Sequence, residues 1–365
     1  MFVLWGTGKI ASILLEETSI RGEIDCVIDN DVSRQGKKWN GYSVVSPDFL
    51  VDNKEAIEII VIASIDWRKI RQQVIEEYGI EEDKIDNMYF RQRKRLLWYY
   101  ETHPDRLSQD MHGDMLYIRE NPLDVFNASF VEKYWSIDYE VFFDEEKGLY
   151  YTRYLGKKLY FSRKVNTKRK AERYCRSMML EQDTSSPHRY ITDTFRVETG
   201  DVVMDAGVAE GNFALEIIDI ASKVYLVEAD PDWIEALGYT FAPYNDKVCI
   251  VEGFLGNGNG GEAQKEVTVD GIVGGGRLDF LKMDIEGMEI PAIAGGENTL
   301  RREAVKLDIC AYHKAAGYEE IAGALEGYGY QCRPSDGFMV FITQENFVTL
   351  EEPRFVRGLL RGRRA

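Results

Sequence analysis

The sequence predicts an α/β protein of two Rossmann-like units, a smaller one at the N-terminus and a larger one in the C-terminal half. Three observations lead there. The chain has 365 residues, more than one typical domain and enough for two buried cores. Short apolar runs alternate with amphipathic stretches in two separate blocks, the pattern of parallel sheets wound by helices. Each block also sets glycines directly after its first strand, at Gly6 and Gly8 and again at Gly207 and Gly211, where a ligand or a packed helix can come close to the backbone. The expected layout is a first unit over 1–95, a linker with an aromatic β-meander over 96–180, a second α/β unit over 181–350 and a basic tail over 351–365.

In the first unit, strands are expected at Phe2 to Trp5, Asp25 to Ile28 and Ile57 to Ala63, with a helix from Ile10 to Glu17. Gly6-Thr7-Gly8-Lys9-Ile10-Ala11 follows the first strand, and the second strand ends in Asp29, 23 positions after Gly6. This resembles a dinucleotide-binding fingerprint with alanine at the third glycine. It allows two readings, a site for a nucleotide or nucleotide sugar, and a tight turn that needs glycine for backbone reasons alone. The cluster Arg91-Gln92-Arg93-Lys94-Arg95 reads as the linker closing this unit, its charge a solvated face. Tyr139 to Phe143, Leu149 to Tyr154 and Leu159 to Phe161 read as a three-stranded meander whose aromatics pack on a neighbour or stack on a sugar ring.

In the second unit, strands are expected at Val202 to Met204, Val224 to Val227, Val248 to Val251, Leu278 to Met283, Val305 to Ala311 and Phe338 to Ile342. Helices should cover Asn212 to Ile220, Trp233 to Leu237, Ile290 to Leu300 and Tyr318 to Tyr328. The tail carries five arginines and no acid in its last twelve residues, a composition that reads as disordered.

The chemistry concentrates at the ends of these strands. Asp205 closes the first strand, and Gly207, Glu210 and Gly211 form the turn into the next helix. Glu228 ends the second strand, 23 residues after Asp205, where a carboxylate accepts hydrogen bonds from both hydroxyls of a ribose. A pyrophosphate would be repelled by an acid at the place of Asp205, whereas a ligand carrying an ammonium and a sulfonium would be favoured. The spacing Gly207-x-x-x-Gly211 also differs from the dinucleotide pattern. These points select S-adenosylmethionine, with Glu252, after the third strand, beside the adenine. The fourth strand runs into Asp284-Ile285-Glu286-Gly287-Met288-Glu289, an acidic cluster at the same sheet edge.

Met204 to Gly211, Tyr225 to Pro231, Val267 to Asp270 and above all Lys282-Met-Asp-Ile-Glu-Gly-Met-Glu289 resemble the FkbM family of methyltransferases over about 150 residues. The resemblance implies a class I methyltransferase fold and, commonly, methylation of a hydroxyl on a sugar, polyketide or other natural product. The first unit is similar to small Rossmann-like domains of bacterial sugar-modifying enzymes, which points to glycan or nucleotide-sugar chemistry.

A sugar hydroxyl needs a base or a metal to become a nucleophile. Asp284 or His313 is expected to take the proton, with Glu286 orienting the acceptor; no metal is assigned. As an alternative, Asp284, Glu286 and His313 offer oxygen and imidazole ligands suited to magnesium or manganese. Arg189 is a candidate for the methionine carboxylate or an anionic acceptor, and Pro187 for a helix start. The net charge of −17 disfavours nucleic acid as a partner. Five scattered cysteines without a Cys-x-x-Cys fit a reducing cytoplasm and not a zinc knuckle. The N-terminus reads as a strand and not a signal peptide, and no apolar run is long enough to span a bilayer. The acceptor is then a small molecule or glycan, and self-association into a homo-oligomer is compatible with the sequence. Two other readings stay open: a nucleotide-sugar oxidoreductase or epimerase working through the N-terminal fingerprint, and a non-catalytic scaffold that binds the cofactor.

Overall fold

A computed structural model describes residues 1–16, 18–260, 265–314, 317–343 and 346–364. The chain divides into two compact units, Met1–Val131 with Val340–Phe355, and Glu132–Met339 with Val356–Ala365.

The first unit holds a six-stranded sheet built from β1 (Phe2–Trp5), β2 (Ile24–Ile28), β3 (Lys38–Trp39), β4 (Tyr42–Val45), β5 (Ile59–Ile62) and β6 (Ile85–Asn87), in the order β3-β4-β2-β1-β5-β6. Strands β1, β2, β4, β5 and β6 run parallel, and β3 pairs antiparallel with β4. Apolar runs such as Ile59–Ile62 are nearly continuous because a parallel sheet is covered on both faces. The first helix, α1, is Lys9–Leu14; Glu17, where the sequence placed its end, lies outside the described residues. The basic cluster is not a linker. It forms the first turns of α2 (Phe90–Thr102), which stays in this unit because Phe90, Leu96 and Tyr100 share a buried face. Arg93 pairs there with buried Asp86 at 2.9 Å and donates to Ile118 O at 2.8 Å.

The second unit opens with the expected meander, β7 (Val141–Asp144), β8 (Leu149–Tyr154) and β9 (Lys157–Tyr160), which places Phe142, Tyr151 and Tyr160 opposite one another. Helix α3 (Lys168–Glu181) follows, capped by the Thr167 hydroxyl, which accepts from Lys170 N.

Seven strands then form the main sheet. They are β10 (Val202–Ala206), β11 (Lys223–Glu228), β12 (Val248–Glu252), β13 (Phe280–Met283), β14 (Lys306–Cys310), β15 (Tyr330–Pro334) and β16 (Leu359–Arg364), in the order β12-β11-β10-β13-β14-β16-β15. The first five are parallel, and β16 runs antiparallel between β14 and β15. The order reverses between β10 and β13, so the carboxyl ends of these two strands flank the switch-point crevice. Successive residues face opposite sides, and each side has its own core: Val203, Phe280 and Cys310 on one, Met204, Leu281 and Ile309 on the other.

Three expectations are corrected here. Of Phe338 to Ile342 only Met339–Val340 is a strand, and it lies outside the main sheet. Tyr330–Pro334 takes that place, an edge strand whose alternating burial leaves no apolar run to announce it. Nor is the tail disordered, because Leu359–Arg364 is an inner strand with Leu359, Leu360 and Gly362 buried. The helix expected over Ile290 to Leu300 is broken by Gly295 and Gly296 into Glu289–Ala294 and Glu297–Arg302.

Candidate active site

Strand β10 delivers Asp205 to the sheet edge, and Lys282 of β13 lies directly opposite in register. The Lys282 ammonium sits 2.9 Å from the Asp205 carboxylate and donates to Gly207 O at 2.6 Å, with both side chains buried. Burial pushes the Asp205 carboxyl up, Lys282 pulls it back, and it settles at about 6. Sequence reasoning gave Asp205 an open negative charge and overlooked Lys282, which stood in the quoted motif and takes most of that charge up.

The following turn needs its glycines. Gly207 has φ +68°, and a Cβ there would lie 1.7 Å from Asp284 O. Gly211, at φ +84°, precedes α4 (Asn212–Ile217), and a Cβ would meet the Phe241 ring at 2.8 Å. Between them Ala209 adopts φ +48° and donates its N–H to the Glu228 carboxylate at 2.9 Å. The other Glu228 oxygen accepts from Ala229 N and Asp230 N, both at 2.8 Å. Three backbone amides therefore aim one carboxylate at the end of β11. Asp230 accepts from Asp232 N and Pro231 opens α5 (Pro231–Phe241), so the helix begins immediately after Glu228. Glu210 is buried, accepts from the Tyr174 hydroxyl at 3.0 Å, and is pushed up to about 6 by burial. Glu181, closing α3, was also missed; burial and the neighbouring Glu210 and Asp284 raise it to about 8. Glu252 stands apart, exposed and paired with Lys265.

Asp284 follows β13 and is a hub. Its N–H donates to Ala206 O at 3.0 Å, which ties β13 to β10 at the crevice. Its carboxylate accepts from the Tyr190 and Tyr312 hydroxyls, each at 3.1 Å, and lies 3.3 Å from His313 Nε2. Burial alone would raise this carboxyl, but the His313 contact and the Lys282 charge hold it well below the usual carboxylate range. His313 also reaches Glu289 with Nδ1 at 3.1 Å. Burial works against the charged ring, yet two flanking carboxylates push it up to about 9, so it is an imidazolium at neutral pH. His188 lies in the segment before β10 and is pushed down to about 4, chiefly by burial.

Of the expected acidic trio, the structure brings Asp284 and His313 together and leaves Glu286 out. Glu286 sits in a left-handed turn at φ +55°, its side chain 91% exposed and 4.0 Å from His313. Glu289, the first residue of α6 (Glu289–Ala294), fills the inner place instead. Of the ligand set suited to magnesium or manganese, Asp284 and His313 therefore stand together while Glu286 points to solvent. Arg189 is engaged by Glu216 through its two terminal guanidinium nitrogens, and Ser186 to Arg189 form a turn rather than a helix. In the first unit, Asp29 accepts from Thr7 N and Asp31 N at 2.9 Å each and pairs with Arg34, so its carboxylate fastens the glycine turn.

Residues 251–332 match the family model described as the Methyltransferase FkbM domain. The chain carries an FkbM methyltransferase domain. It is an S-adenosylmethionine-dependent methyltransferase (EC 2.1.1.-), and S-adenosylmethionine is its cofactor. The match takes in Asp284, Glu289 and His313, whereas Asp205 and Glu228 lie before it. Residues 2–86 match a second model, described as C2185-like, N-terminal.

Among solved structures, methyltransferase FkbM from Methylobacillus flagellatus KT is similar over 99% of this chain and 89% of its own, at 14% identity and a TM-score of 0.52. At that identity the likeness is one of fold, here the class I methyltransferase fold. Precorrin-6y C5,15-methyltransferase from Geobacter metallireducens GS-15 is similar over 46% of this chain and 84% of its own, at 13% identity and a TM-score of 0.34. No curated protein matches. Among the described residues, no helix of this methyltransferase is long and apolar enough to cross a membrane.

The site suits the cofactor on its own chemistry. Gly207 and Gly211 leave a turn that side chains would fill, and with Lys282 paired to Asp205 the carboxylates of Glu228, Glu210 and Asp284 leave the crevice negative, while Glu181 stays protonated at neutral pH. Such a site attracts a sulfonium and an ammonium and repels a diphosphate.

Proposed function

We propose that this methyltransferase methylates a hydroxyl group of a sugar or glycan. The observation that carries the reading is Asp284, an ionised carboxylate held between two tyrosine hydroxyls and an imidazolium at the carboxyl edge of β13. A carboxylate flanked by aromatic rings is the chemistry that holds a neutral polyol, by hydrogen bonds to hydroxyls and by ring stacking. The excess of acids beside it disfavours phosphate-rich acceptors.

When bound, S-adenosylmethionine supplies a methyl group activated by its sulfonium. Asp205, Gly207, Glu210, Gly211 and Glu228 form the cofactor side, Glu228 taking the ribose hydroxyls, with Glu252 at the outer rim. Asp284 orients the acceptor hydroxyl and receives its proton as the carbon–oxygen bond forms and the carbon–sulfur bond breaks. His313, fixed by Glu289, holds Asp284 in place. Enzyme incubated with the methyl-tritiated cofactor and separate pools of neutral sugars, glycans, RNA and protein should label the sugar or glycan pool with an alkali-stable methyl ether. Label confined to RNA, to protein or to a base-labile ester contradicts the proposal.

A further inference from the structure

We infer that His188, Asp284 and Cys310 form a binding site for a thiophilic divalent cation such as zinc or ferrous iron. Three separate parts of the fold converge there: the turn before β10, the end of β13 and the last residue of β14. His188 Nε2 lies 3.5 Å from Cys310 Sγ and 3.7 Å from an Asp284 oxygen, and all three potential ligand atoms fall within 4.8 Å of one another. Ligands bound tetrahedrally at about 2.0–2.3 Å stand roughly 3.3–3.8 Å apart, so the two distances from His188 fit the edges of such a site.

The donor set chooses the ion. A thiolate, an imidazole and one carboxylate suit zinc or ferrous iron, whereas magnesium and calcium prefer all-oxygen cages. Asp284 is already oriented as a ligating carboxylate should be, with Tyr190, Tyr312 and His313 bonding its oxygens and Glu289 steadying His313 from behind. A weak S–H to imidazole hydrogen bond would also explain the contact between Cys310 and His188. That contact alone does not account for the approach of the same ring nitrogen to the Asp284 carboxylate at 3.7 Å. Two cations lie near the site and oppose a divalent ion only in part, Lys282 because it is paired with Asp205 and His313 because it lies between Asp284 and Glu289.

Binding replaces the Cys310 thiol proton, which is released to solvent, so the two anionic ligands balance the ion's charge. A fourth position would be left for water or for a hydroxyl, whose pKa the ion lowers. The site does not depend on the acceptor being a sugar; with an ion bound, Asp284 would serve as its ligand, and the ion rather than the free carboxylate would ease loss of the acceptor proton.

The test is cobalt(II) substitution of chelator-stripped, full-length protein. The expected result is a single tightly held ion per chain, a near-ultraviolet thiolate-to-cobalt band and displacement by zinc. Cys310→Ser should abolish the band, and Asp284→Asn and His188→Gln should each weaken zinc binding by about ten-fold or more. Circular dichroism of each variant checks its folding, and Asp284→Asn leaves every buried carbon atom in place. Absence of the band in the wild-type protein overturns the inference. So does a band that persists in Cys310→Ser, since it would place the metal on another cysteine such as exposed Cys249.

Discussion

Lys282 governs what Asp205 contributes. With the ammonium 2.9 Å away and both groups buried, the pair is close to neutral as a unit, and the charge felt by a ligand comes from Glu228, Glu210 and Asp284 around it. Removing one partner of a buried pair leaves the other uncompensated at a cost of about 3–5 kcal/mol. Lys282→Met should therefore lower stability to urea by that amount, and Asp205→Asn in the same chain should restore much of it. A Lys282→Met protein with an unchanged midpoint would show that the pair contributes nothing. The raised carboxyls also set a pH dependence. Asp205 and Glu210 both lie at about 6, so they lose their charge as pH falls through that value and the attraction for a cation goes with it. Affinity for S-adenosylmethionine should drop by about ten-fold between about pH 7.5 and pH 5, the order of one proton's linkage. S-adenosylhomocysteine, with its neutral sulfur, should lose less; equal losses for both would contradict the electrostatic account.

At the scale of elements, register explains both what the sequence revealed and what it hid. Pairing aligns Asp205, Lys282, Asp308 and Arg361 across four neighbouring strands, a row of alternating charge on one sheet face. Arg361 stands 3.7 Å from the fully buried Asp308 and donates to Arg189 O at 2.7 Å. Arg361→Ala should thus destabilise the protein by about 1–3 kcal/mol, while Arg363→Ala, two residues on and exposed, should stay within about 0.5 kcal/mol. Equal, negligible effects in denaturant titrations would mean that the tail adds nothing to the sheet. From sequence alone this tail looked solvated, since net charge reports no register and the partner acid is more than fifty positions away. Strands β10, β11 and β13 were legible because a parallel strand buried on both faces is an apolar run that ends abruptly in an acid or a glycine. Edge strand β15 has no such run, and the break at Gly295-Gly296 lay inside an otherwise helical pattern.

For the whole molecule, the two-unit α/β plan was readable, and Asp205, Gly207, Gly211, Glu228, Asp284 and His313 stood out as candidates because each lies where a strand ends. What the sequence concealed were the partners: Lys282 for Asp205, Glu289 for His313, and the tyrosines that hold Asp284. These contacts join segments up to about a hundred residues apart, and no local pattern encodes them. The net charge of −17 acts at this scale too, adding a long-range field that favours cationic ligands and opposes polyanions. The reading as a whole rests on a carboxylate-rich crevice that grips S-adenosylmethionine through Glu228. Calorimetric titration of the wild-type and Glu228→Gln proteins with S-adenosylmethionine and with NAD tests it most directly. The account predicts that only the first ligand binds and that the substitution weakens it by about 10- to 100-fold, the equivalent of one or two charge-assisted hydrogen bonds. Unchanged affinity in Glu228→Gln, or tight binding of NAD in that crevice, would contradict it.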